Sequence, residues 1–146
     1  MKKIFFILTI VSFASCVDQR ETLYYNYTIV NHSGAEVNIV PYVDGVAAPE
    51  LKKVLPNGQL INKQLKDEPP YDVPLHMSQL VFPEAALNYT DFEFTFNNLK
   101  RVIHKDAEKN QARNIFNNNF NNDRTEIYVI TPEDYANAVD CGGNCN

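Results

Sequence analysis

Asp91-Phe92-Glu93-Phe94-Thr95-Phe96-Asn97-Asn98 is the stretch that decides how this chain reads. Three phenylalanines fall on alternate positions, with Glu93 and Thr95 between them. A period of two puts Phe92, Phe94 and Phe96 on one face of a strand and the polar pair on the other. Asn97-Asn98 makes a turn, and residues 100–104 return as a second strand. The pair predicts a β-hairpin.

The same rhythm continues on both sides. Toward the N-terminus, Tyr25, Tyr27 and Ile29 alternate with Asn26, Thr28 and Val30. Asn31-His32-Ser33-Gly34 is turn chemistry, and residues 36–42 follow with Val37 and Ile39 on one face. Together they predict a hairpin with a four-residue loop. Asp44-Gly45 and Pro56-Asn57-Gly58 are further turns. Residues 47–55, bracketed by Pro49 and Pro56, read as a short strand or an irregular edge, and residues 60–65 as a returning strand. Pro69, Pro70 and Pro74 mark a loop. Residues 78–82 are predicted as a short strand ended by Pro83.

Toward the C-terminus, residues 106–122 are polar and rich in Asn, interrupted by Ile115, Phe116 and Phe120. They predict a long loop with one helical turn pinned by those apolar residues. The loop is either a binding loop on a rigid scaffold or a flexible connection. Residues 126–131 read as a last strand. Thr131-Pro132-Glu133-Asp134 starts a helix: Thr131 caps, Pro132 suits the first helical position, and the acids favour the positive end of the dipole. Tyr135 and Val139, four apart, are expected to share the face that packs on the sheet.

About seven short strands, dense turn chemistry and one C-terminal helix predict an all-β fold. The expected architecture is an antiparallel β-sandwich, Ig-like or related, with an open β-barrel as the alternative. The absence of a strand–helix–strand rhythm argues against a doubly wound fold. The chain has 146 residues, 45% of them hydrophobic and 21% charged. That composition suits one globular domain and excludes a disordered or collagen-like chain. The net charge of −5 gives no general attraction to nucleic acid.

The N-terminus reads as an address. Met1-Lys2-Lys3 is followed by an apolar run over residues 4–14, broken only by Thr9 and Ser12. A bilayer span needs about 20 residues, so this length suits a signal peptide. Phe13-Ala14-Ser15-Cys16 resembles a bacterial lipobox, with Phe13 where a branched aliphatic is usual. Residues 1–15 are then a cleaved signal peptide, 16–21 a lipidated Cys16 with a short tether, and 22–146 the single domain. Two or three acyl chains on Cys16, at ~0.8 kcal/mol per buried CH₂, would make a durable anchor. The alternative is an ordinary secretory signal with Cys16 spare.

Cys141-Gly142-Gly143-Asn144-Cys145 leaves two thiols in an oxidising compartment, and a disulfide between them is expected. A metal site would need two further ligands, and the C-x₃-C spacing is not the C-x-x-C of redox motifs. His32, His76 and His104 show no paired spacing and read as surface or boundary residues. Asp67, Glu68 and Asp72 match no calcium loop and read as a solvated loop. No nucleophile elbow, phosphate loop or dinucleotide motif occurs, and Ser33 and Ser78 have no evident partner. No catalytic residue, metal or cofactor is therefore assigned. Aromatics remain: eight Tyr, nine Phe and no Trp. Tyr24, Tyr71 and Tyr89 are candidate ligand-facing rings for a glycan or protein ligand, against the plainer reading of core packing.

The lipobox at Cys16, the run Ile29-Val30-Asn31-His32-Ser33-Gly34 and the ending Tyr128-Val129-Ile130-Thr131-Pro132-Glu133-Asp134-Tyr135-Ala136-Asn137-Ala138 before the Cys pair resemble small Bacteroidota-type envelope lipoproteins of unknown function. The resemblance implies an envelope address, with the outer membrane as the expected site on either leaflet, and no known activity. The expected function is a lipid-anchored, non-enzymatic ligand-binding or accessory module. The rivals are a structural partner acting through protein contacts and a hydrolase built from loops.

Overall fold

A computed structural model describes residues 21–69, 76–81 and 88–145 of the chain. Cys16, Tyr71 and Asp72, with the signal peptide and most of the tether, lie outside the described residues. The strands are β1 (Leu23–Asn31), β2 (Val37–Val43), β3 (Val46–Ala47), β4 (Lys53–Leu55), β5 (Leu60–Asp67), β6 (Tyr89–Phe96), β7 (Lys100–Lys105), β8 (Thr125–Ile130) and β9 (Val139–Asp140). Two short helices are α1 (Ser78–Val81) and α2 (Pro132–Asn137). Strands β5-β1-β8 form a three-stranded sheet. A six-stranded sheet runs β3-β2-β6-β7-β9, with β4 also on β2, and curls into a half-barrel. The fold is the expected all-β sandwich with a short C-terminal helix.

The β6–β7 hairpin forms as read, with Phe96 opposite Lys100 and both turn residues at positive φ (Asn97 49°, Asn98 57°). Asn tolerates that region better than most residues. The hairpin expected between β1 and β2 does not form. β1 pairs with β5 and β8, whereas β2 pairs with β3, β4 and β6.

The cause is local. The buried Asn31 amide donates to the carbonyls of Ala35 and Leu55, both at 2.8 Å, and its Oδ1 accepts from Ser33 N and Oγ. Gly34, at φ 84°, donates its N–H to Asn57 Oδ1. Asn31 thus fastens two corners together, one leading from β1 to β2 and one from β4 to β5, and both change sheets. Pairing is also not wholly antiparallel: β1 and β8 run parallel, because a long crossover separates them.

The core lies between the sheets. Tyr27, Ile29, Tyr128 and Ile130 face Val37, Ile39, Phe92, Phe94 and Phe96, all almost fully buried. Each such side chain stabilises the fold by roughly 1.5–3 kcal/mol. Phe94 and Tyr128 meet edge-on at 6.2 Å across the interface. Three local expectations are corrected. Residues 78–81 are helical, not a strand. α2 ends at Asn137, so Val139 sits in β9 and is 69% exposed, while Tyr135 packs on Phe96 as expected. His104 is not a surface residue: it is buried against Phe94 and Tyr128.

The Asn-rich segment is a built structure rather than a flexible connection. Asn117 donates to the carbonyls of Lys109 and Gln111 and accepts from Asn119 N. Asn121 donates to Ile115 and Asn117 and accepts from Met77 N. Asn114 donates to Lys105 and accepts from Phe116 N. The short side-chain amide supplies partners to backbone groups that have no ladder to join. Ile115 is buried in the core, Phe116 stacks on Phe92 and Phe120 meets Tyr128 edge-on.

Candidate functional site

β6, the strand of alternating phenylalanines, also builds the site. Phe92, Phe94 and Phe96 point into the core, and Glu93 and Thr95 point to the opposite face of the larger sheet. Both are nevertheless buried, at 5% exposure each. The sheet curls at this face, and the C-terminal tail comes back to it. Cys141 N bonds Leu99 O, Asn98 Nδ2 donates to Gly143 O, and Cys145 N donates to Asn98 Oδ1. Cys141 and Cys145 lie at disulfide distance, as the sequence leads one to expect, their Cα atoms 5.3 Å apart.

A groove of about 260 Å³ results, lined by Val40, Tyr42, Ala47, Pro49, Glu93 and Cys145. Val40 is directly opposite Glu93 in the ladder, and Tyr42 is its diagonal neighbour. The Tyr42 phenol donates to Glu93 Oε2 at 2.8 Å. On the other side, Arg101 on β7 brings Nη1 to 3.9 Å from Oε1, too far for a direct hydrogen bond. Burial, reinforced by the bond to Glu93, pushes the Tyr42 phenol up to about 12, so it remains a proton donor. The groove therefore joins an apolar lining to one carboxylate that is nearly desolvated.

A second cavity, about 140 Å³, lies between β7, the Asn-rich segment and α2. His104, Arg113, Asn114 and Asp134 are among its lining residues. Burial holds the His104 imidazole down at about 4; Asp134 opposes that shift and Arg113 adds to it. Among the described residues the His104 imidazole makes no hydrogen bond. Asp134 accepts from Arg113 Nε at 3.0 Å and from Thr131 N at 2.7 Å, completing the capping box of α2. Burial alone would raise its carboxyl; the bonds from Arg113 and Thr131 outweigh that and hold it low. This cavity has a structural owner, the helix cap.

A third cavity, about 240 Å³, gathers His76, Ser78, Tyr89, Asp106 and Lys109. Ser78 and His76, two positions apart in the chain, are joined here by Asp106 and Lys109 from a distant segment. No hydrogen bond joins Ser78 to His76 among the described residues. Burial lowers His76, against the pull of Asp106.

The candidate rings are spread out. Tyr24 is 48% exposed on the smaller sheet, opposite Lys66. Tyr89 belongs to the larger sheet and packs on Phe92, with ring centroids 5.9 Å apart. It also lines the third cavity. Tyr42, which lines the groove, is not among the candidate rings; its only signal in the sequence is its place in the alternation with Val37 and Ile39. Among the described residues, no group of three or more His, Cys, Asp or Glu side chains is placed to hold a metal ion. No described helix is long and apolar enough to cross a membrane. Compared with protein-family models, curated proteins and solved structures, the chain matches none.

Proposed function

We propose that this chain is a lipoprotein of a bacterial outer membrane, anchored through an acylated Cys16. Its sandwich domain is a non-enzymatic binding module whose ligand enters the groove on the open face of the larger sheet. The observation that carries this reading is the desolvated Glu93 carboxylate at the floor of an apolar cleft. Binding sites characteristically join apolar walls to one or two placed polar groups, whereas a face with no partner to meet has no reason to bury a charge.

A thermal-shift screen of small molecules tests the reading. Ala47 is exposed at the groove, so Ala47→Trp fills the cleft without touching the core. Compounds that raise the melting temperature of the wild-type chain and not of Ala47→Trp support the reading, through ligand linkage. A library that raises both equally, or neither, overturns it.

A second reading is a hydrolase centred on Ser78, His76 and Asp106, favoured by their sharing one cavity. It requires Ser78 to be activated by a base within hydrogen-bond reach. Covalent labelling of Ser78 by a fluorophosphonate would support it, and inertness would exclude it.

A further inference from the structure

We propose that the groove takes a small primary amine, its ammonium seated on Glu93 and its apolar body against Val40, Ala47 and Pro49. This rests on reading the groove as the ligand site, and it adds the chemistry of the ligand.

The first ground is the state of the carboxylate. A carboxylate offers about four acceptor positions. Among the described residues, Glu93, its side chain 7% exposed, fills one with the Tyr42 phenol and has Arg101 at 3.9 Å. A buried charge is costly unless it is paired and hydrogen-bonded. An ammonium supplies both the charge and up to three donors. The Tyr42 oxygen, already donating to Glu93, retains lone pairs that can accept a second N–H.

The second ground is the sign of the surroundings. Among the described residues, none that lines the groove is cationic. Arg101 stands outside the lining on β7, with 41% of its side chain exposed, free to turn to water when the carboxylate gains a closer partner. The chain's net charge of −5 adds a weak long-range attraction for cations.

The third ground is size. At about 260 Å³ the groove lies just below the roughly 300–1,000 Å³ of drug-sized sites. Ala47 and Pro49 approach from the sheet's outer edge, and Cys145 from the tail. That suits a compact free amine in preference to a length of peptide.

The test uses the full-length chain in detergent, with amide NMR shifts at Val40, Tyr42, Ala47 and Glu93 as the readout. Three ligands of one shape are compared: cyclohexylmethylamine, cyclohexylmethanol and cyclohexanecarboxylate. Acetyl-lysine amide stands for a protein lysine. The amine is expected to bind about 10-fold or more tighter than the alcohol, as a charge-assisted hydrogen bond in a desolvated site should allow. Glu93→Gln should erase that preference while leaving the alcohol's affinity in place. If Glu93→Gln does not fold, Ala47→Trp replaces it and should abolish all groove shifts.

Equal binding of amine and alcohol would overturn the amine assignment and leave the groove as a site. Binding by acetyl-lysine amide alone would overturn it in favour of a protein lysine. No groove shift from any of the four would overturn both the amine and the reading of the groove itself.

Discussion

The Tyr42 phenol donates to Oε2 of Glu93 at 2.8 Å, diagonally across the β2–β6 ladder. Diagonal neighbours on one sheet face are within reach when one side chain is long. Tyr42→Phe should remove this bond and destabilise the fold by about 1.5–3 kcal/mol, the range for a bond to a charged partner. Urea unfolding at pH 7 measures this. The alkaline limb provides a second reading. The phenol rises from 10.0 to about 12 on folding, so its stabilisation is complete below pH 10 and is lost as pH climbs through 12. Tyr27, raised to about 12 chiefly by burial, contributes to the same limb. Tyr42→Phe should make that limb shallower without abolishing it.

Acid should weaken the fold through His104. Its folded value of about 4 lies below the ordinary 6.5. The stability it contributes is therefore present above pH 6.5 and is lost as pH falls through 4. The size is of the order of 3 kcal/mol. Asp134, also held low, acts in the same direction at lower pH. His104→Leu should flatten the denaturation midpoint between pH 6.5 and 4.5, and Asp134→Asn should not.

Asn121 joins three backbone groups, on Ile115, Asn117 and Met77. Asn121→Ala strands them, at about 1–3 kcal/mol for each that stays buried. Hydrogen exchange should quicken in residues 115–121 first, with the β6–β7 hairpin retaining its protection.

The disulfide closes a loop of few residues, so loop-closure entropy gives it about 2 kcal/mol at most. Alkylation mass spectrometry of the unreduced chain should find Cys141 and Cys145 blocked. Reduction should shift the melting temperature by only a few degrees, while loosening the tail and weakening any ligand held in the groove.

The membrane anchor is tested by Cys16→Ala. The variant should lose acyl label and leave the membrane fraction. Retention of both would sink the lipoprotein reading. Protease treatment of intact against lysed cells would then assign the leaflet for the wild-type chain.

Local features of this protein could be read from its residues alone. Phe92, Phe94 and Phe96 mark a buried strand face because side chains alternate along any extended backbone. Asn97-Asn98 marks the turn, since Asn accepts positive φ. Thr131 with Asp134 marks a helix start, since each can satisfy the other's backbone N–H. These interactions span at most a few residues, so the sequence carries them explicitly. Tertiary structure decided the rest. Alternation shows that Glu93 shares no face with Phe92 and Phe94, but not whether that second face meets water. Curling of the sheet and return of the Cys145 tail bury it. Likewise, Asn31-His32-Ser33-Gly34 reads as a hairpin turn until the Asn31 amide is seen bonding the carbonyl of Leu55, 24 positions away. That bond turns a hairpin into a change of sheets. The groove, the buried His104 and the parallel β1–β8 pair all depend on such distant partners. Their energies are settled by which surfaces meet, and residue order does not state that.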